Sequence, residues 1–282
     1  MQYSAETYSI EPIVKWAGGK RQIVYRLISS LPKKWERYFE PFLGGGALTA
    51  ELYRLGRINS AVLSDKNQDI YNLMITVRDH TDDLINEIKR IPYENKKESY
   101  YSARSVFNSI VQFPSVKRAA LFIYLNRHCF NGLYRLNSKG EFNVPFGSYR
   151  NPQYPPIELL RSWSTLLKSV ELKICDFQEA TSAARMGDFV YFDPPYFPIS
   201  STSNFTNYSG DGFSSSEQMR LADEMKRLDS IGAYVMLSNS DTPETRALYS
   251  GFNIDFIETN RNINSDPQKR HSGREIIVRN YW

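Results

Sequence analysis

Gly187-Asp188-Phe189-Val190-Tyr191-Phe192-Asp193-Pro194-Pro195-Tyr196 is an apolar run that stops on a carboxylate, two prolines and an aromatic ring. A short aromatic and branched run of this kind reads as a buried strand. Similar runs occur at 37–42, 60–64, 171–175, 233–238 and 252–257, and a last extended run at 275–278 returns to the same character. Between several of them lie stretches of helical period, at 47–55, 68–79 and 217–229. Strands alternating with helices imply a largely parallel sheet covered on both faces, so the predicted fold class is α/β. Ligands of such sheets sit at the carboxyl ends of the strands, which places Asp193 where chemistry would happen.

From about residue 80 to 167 the pattern changes. Helical stretches near 81–90, 98–110 and 116–129 lead into a polar segment rich in Gly and Asn at 131–156, with no obvious strand of the main sheet. The chain is therefore divided into 1–79 and 168–282, two parts of one α/β unit, and a mostly helical insertion at 80–167. The 282 residues are 41 % hydrophobic and 23 % charged, an ordinary globular balance that excludes a fibre or a disordered chain. No run approaches the roughly 18 apolar residues of a membrane helix, and the first residues lack a signal-peptide pattern, so a cytoplasmic protein is expected. Cys129 and Cys175 are too few for a disulfide framework and are read as buried thiols. The three histidines show no ligand spacing, and no metal is implied.

Net charge is only +4, but residues 115–150 hold Lys117, Arg118, Arg127, Arg135, Lys139 and Arg150 against Glu141 alone. Residues 261–282 hold Arg261, Lys269, Arg270, Arg274 and Arg279 against Asp266 and Glu275. A polyanion is the natural partner of two such local excesses, although a merely solvated basic face would look the same.

The prolines after Asp193 supply no N–H and leave their carbonyls as acceptors. An adenine N6 lone pair is delocalised into the ring and is a poor nucleophile. Two acceptors, the Asp193 carboxylate and the Pro194 carbonyl, can hold both N6 hydrogens, favour a pyramidal nitrogen and stabilise its developing charge. Tyr196 can stack on the purine face. Upstream, Glu40-Pro41-Phe42-Leu43 runs into Gly44, Gly45 and Gly46, where the backbone could approach a cofactor closely. A tight structural turn would read equally well. About twenty residues on, the next strand ends at Asp65, an acid suited to ribose hydroxyls. Lys15-Trp16-Ala17-Gly18-Gly19-Lys20 lacks the spacing of a phosphate loop, and its lysine could instead meet a cofactor carboxylate.

With these marks, and with Leu125-Asn126-Arg127, Asn131-Gly132-Leu133-Tyr134-Arg135 and 140–147 in this order, the chain resembles the Dam-type DNA adenine methyltransferases, the D12 class or alpha group, over most of its length. The resemblance implies a Rossmann-like S-adenosylmethionine-dependent methyltransferase sheet with an inserted target-recognition domain. It implies a cofactor shell of Trp16, Lys20, Glu40, Phe42, Asp65, Asp176, Phe177 and Asp193, and catalysis by Asp193, Pro194 and Tyr196. For DNA it implies Phe130, Asn131, Leu133, Arg135, Pro145 and Tyr149, to which the basic stretch adds Arg127 and Lys139 as expected DNA-binding residues. Arg135 would read a guanine, Asn131, Leu133, Pro145 and Tyr149 the neighbouring bases, and Phe130 would wedge into the stack. Some relatives carry tyrosine at position 130. The expected substrate is double-stranded DNA with GATC as its site, and a monomer suffices for a self-complementary site. Two other readings are methylation of cytosine N4, disfavoured by an aspartate where serine is more usual, and a DNA-binding regulator that has lost catalysis.

Overall fold

The computed structural model describes residues 10–196, 213–260 and 272–282. Seven strands form one sheet: β1 (Tyr38–Glu40), β2 (Ala61–Asp65), β3 (Glu171–Ile174), β4 (Phe189–Phe192), β5 (Tyr234–Ser240), β6 (Asn253–Asn260) and β7 (Ser272–Arg279). Their order is β3-β2-β1-β4-β5-β7-β6. The first five are parallel, and β7 inserts antiparallel between β5 and β6. The α/β expectation holds. The central strands are continuous apolar runs because both faces are covered, whereas β3 at one edge carries Glu171 and Lys173. β6 runs three residues beyond its apolar signal, because the polar residues 258–260 pair antiparallel with 272–274.

The helices are α1 (Val24–Ser29), α2 (Ala47–Arg54), α3 (Gln68–Asp79), α4 (Thr81–Lys89), α5 (Lys97–Ser109), α6 (Val116–His128), α7 (Ile157–Lys168), α8 (Phe177–Thr181), α9 (Ser215–Ser230) and α10 (Pro243–Leu248). Among the described residues no helix is long and apolar enough to cross a membrane. Side chains alternate between sheet faces along each strand. Tyr38, Leu63, Phe189, Tyr191, Met236 and Ile277 join one apolar cluster, and Phe39, Val62, Val190, Phe192, Leu237 and Ile276 the other, beneath Leu221 and Met225 of α9. The first cluster continues without a break into Ile70 and Leu73 of α3, Phe107 of α5, Phe122 of α6 and Trp163 of α7. The segment read as an insertion thus shares its core with one face of the sheet. Helix α7 packs against α3 and leads directly into β3, as a crossover helix does.

A buried ion pair ties α3 to α6. Arg118 Nε and Nη2 donate to Asp69 Oδ1 and Oδ2 at 2.6 and 3.1 Å, and the Tyr134 hydroxyl donates to Oδ2 at 2.7 Å. The remaining guanidinium nitrogen, Nη1, donates to the Phe107 and Ile110 carbonyls. Arg118 therefore belongs to the core, not to a basic surface, which lowers the exposed charge of 115–150. Cys129 is buried, and burial pushes its thiol up to about 12. Cys175 is only half-buried, because it follows the edge strand β3.

Candidate active site

The period-2 rule gathers the site. Asp65 ends β2 on the face of Leu63, Glu40 ends β1 on the face of Tyr38, and Asp193 follows β4 on the face of Phe189 and Tyr191. Ser238 and Glu275, on the faces of Met236 and Ile277, continue this row onto β5 and β7. Five polar groups from adjacent strands therefore line one face of the sheet, the face on which residues 80–167 pack.

Asp193 is bound by two partners on one oxygen: Lys20 Nζ lies 2.7 Å from Oδ1, and Ser238 Oγ donates to it at 3.0 Å. Its side chain keeps 20 % of its surface exposed, so it can still be reached. Burial raises the pKa of this carboxyl, opposed chiefly by the Lys20 ammonium. Lys20 also donates to the Gly18 carbonyl and lies 4.4 Å from the centre of the Tyr196 ring. The lysine expected to meet a cofactor carboxylate thus meets Asp193. The Tyr196 hydroxyl donates to Glu275 Oε2 at 2.7 Å. No hydrogen bond from another described residue ends on the Pro194 carbonyl, so it stays available as an acceptor.

Glu40 accepts from the Tyr38 and Thr49 hydroxyls on a single oxygen. Burial outweighs these two donors and pushes its carboxyl up to about 8, which favours the protonated form at neutral pH. The sign for stability follows. Between the ordinary value of 4.5 and about 8 the folded protein holds a proton that the unfolded chain has released, so stability falls as pH rises. Asp65, pushed up to about 6, adds the same trend at lower pH. Glu40→Gln keeps an acceptor but cannot ionise. Its melting temperature relative to wild type should rise between pH 6 and 8, and a flat difference would show that Glu40 is charged in the fold.

The glycine turn is tight for a specific reason. A Cβ on Gly44 would fall 2.5 Å from the Trp16 ring, and Gly44 has φ of +46°. Its N–H donates to Asp65 Oδ2 and the Asn67 N–H to Oδ1, both at 2.8 Å, so Asp65 fastens the turn to β2 while keeping lone pairs to spare. Phe42 and Phe177 stack with centroids 5.6 Å apart. Asp176 caps α8 through the Gln178 N–H and pairs with Arg220 at 3.0 Å. All eight expected cofactor residues thus lie at or beside the carboxyl ends of β1 to β4, Trp16 and Lys20 reaching them from the N-terminal segment.

The expected DNA residues cluster in part. Phe130 N–H donates to the Pro145 carbonyl, and Asn131, at φ 53°, donates its N–H to the Tyr149 hydroxyl, both at 2.9 Å. Phe130 is 45 % exposed, and Lys139 is exposed on a turn capped by Asn137. Leu133 is half-buried. Arg135 Nε donates to Asn143 Oδ1 at 2.6 Å, which orients the guanidinium. Arg127 Nη2 donates to the Ile13 carbonyl at 2.5 Å, tying the N-terminal segment to α6. Lys15, not singled out by the sequence, joins the cluster with its ammonium 4.7 Å from the Tyr149 ring centre. Of the second basic stretch, Arg261, Lys269 and Arg270 lie outside the described residues.

The chain is 44 % identical to the type II methyltransferase M1.LlaDCHI of Lactococcus lactis subsp. cremoris, over 97 % of this chain and 96 % of the relative. It is 40 % identical to the type II methyltransferase M.MjaIII of Methanocaldococcus jannaschii, over 96 % and 99 %. It is 36 % identical to the DNA adenine methylase of Haemophilus influenzae, over 95 % and 92 %. The profile of the D12 class N6 adenine-specific DNA methyltransferases matches residues 16–263, and the chain belongs to that family of enzymes.

Proposed function

We propose that the protein transfers a methyl group from S-adenosylmethionine to N6 of an adenine flipped out of duplex DNA, within the sequence GATC. The observation that carries this reading is the pairing of Asp193 with an unclaimed Pro194 carbonyl at the end of β4, beside the Tyr196 ring. A duplex buries N6 against a pocket of this kind, so the base must leave the stack.

The side chains present fit the cofactor by their donor set. Asp65 offers lone pairs to ribose hydroxyls, Phe42 and Phe177 offer apolar faces to a purine, and Asp176 an acceptor to its exocyclic amine. Glu40, Lys20 and Asp193 supply a neutral acid, a cation and an anion for the amino-acid end. Bound there, S-adenosylmethionine supplies an electrophilic methyl on sulfur. Asp193 and the Pro194 carbonyl would accept the two N6 hydrogens, and the carboxylate would stabilise positive charge growing on nitrogen. Lys20 has then to turn from Asp193 to the carboxylate of the cofactor. S-adenosylmethionine should raise the melting temperature of the free protein by mass action, and Asp65→Ala should shrink the shift. A larger shift with ATP or NAD would show the glycine turn and its acid to be misread.

Residues 80–167 are proposed as the target-recognition part. Arg135, aimed by Asn143, would contact O6 and N7 of guanine, Phe130 would wedge into the stack, and Lys139 would grip phosphate without regard to sequence. A bidentate guanine contact discriminates by about 1–3 kcal/mol. Arg135→Ala should therefore relax the guanine preference tenfold or more and leave cofactor binding intact. Mapping methylated adenines in a host lacking adenine methylation tests the site, and modification outside GATC would refute it.

A further inference from the structure

The Asp193–Tyr196 turn faces a physical problem. Its two prolines contribute no backbone N–H, so the turn has amide donors only at its two ends, and proline fixes φ but not ψ. Neighbours must hold it by its oxygens. Ser238 Oγ, fully buried, donates to Asp193 Oδ1 and lies 2.9 Å from the Tyr191 hydroxyl. Gln218 of α9, 1 % exposed, donates Nε2 to the Pro195 carbonyl at 3.1 Å, and its Oε1 accepts from the buried Asn239 Nδ2 at 3.3 Å. Glu275 of β7 accepts from the Tyr196 hydroxyl.

Ser238 and Glu275 approach from the face shared with residues 80–167, while Gln218 and Asn239 approach from the face covered by α9. The grip leaves the Pro194 carbonyl open, the oxygen the amine requires. We propose that Gln218, Ser238 and Glu275 are positioning residues that clamp this turn from both faces of the sheet and set its angle to the target amine. The inference rests on the site reading above. Positioning of this sort is sensitive to displacements of about an ångström, which can cost on the order of a hundredfold in rate.

The test is a double-mutant cycle on single-turnover methyl transfer to a GATC duplex. Glu275→Ala and Tyr196→Phe should each slow the step about tenfold, and the double variant should be no more than about twofold slower than either, because both remove one hydrogen bond. Glu275→Gln, whose amide oxygen still accepts the hydroxyl, should recover most of the rate. Gln218→Met should slow the step similarly, while dissociation constants for S-adenosylmethionine and DNA stay within about threefold of wild type. Multiplying losses in the double variant, single variants within twofold of wild type, or a loss confined to binding would each overturn the clamp. Melting curves of Tyr196→Phe and Glu275→Gln, both nearly isosteric, separate misfolding from mispositioning. An active Asp193→Ala would sink the site reading itself, whereas an inactive one beside unimpaired clamp variants sinks the clamp alone.

Discussion

Asp193→Ala should lower the single-turnover rate of methyl transfer by more than about a thousandfold, measured with saturating cofactor and duplex. One preorganised group aimed at developing charge is worth about a hundred- to a thousandfold in rate. Asp193 does more than that in the proposed chemistry, because it both orients the amine and offsets its charge. The substitution also strips the counter-charge from Lys20, which is only 4 % exposed. Cofactor binding should weaken as well, so the rate must be read at saturation. Activity within about tenfold of wild type would sink the mechanism, provided that the variant melts as a folded protein.

The second large effect concerns stability. Asp69→Ala should destabilise the fold by about 3–5 kcal/mol, because it leaves the Arg118 guanidinium buried without its anion. Urea denaturation measures this directly. Converting both partners to apolar residues, as in Asp69→Leu with Arg118→Met, should recover much of the loss, since the desolvation cost disappears with the charges. A single-variant loss below about 1 kcal/mol would mean that the pair is hydrated and the core between α3 and α6 is looser than it looks.

Strand period and strand-end chemistry carried much of this structure in the sequence. The runs at 188–192 and 233–238 fall within a residue or two of β4 and β5, and Asp193 and Asp65 stand at strand ends as their positions imply. Three short helices, α1, α8 and α10, left no apolar period to read, although α10 begins with a legible Thr242-Pro243 cap that closes through Thr245. Gln218 and Glu275 were invisible for another reason: their partners, Pro195 and Tyr196, lie 23 and 79 residues away, across pairings that only the sheet order supplies. Arg127 gave no sign of its bond to Ile13, because a cation counted in a basic stretch does not say which way its side chain turns. Its spacing from Ile13 spans more than a hundred residues.

The uninterrupted core between sheet and recognition segment bears on how site preference could diversify. Phe142 and Val144 are buried, so even the loop proposed to carry the reading residues is anchored in the same interior as Leu63 and Tyr38. A transplant from a relative that exchanged all of 80–167 would have to match Asp69 and the α3 surface across every seam. A smaller graft, limited to surface-facing positions such as Phe130, Asn131, Lys139 and Pro145, would leave those seams untouched. New specificities should therefore arise by piecemeal change on a fixed platform more readily than by wholesale exchange of a module.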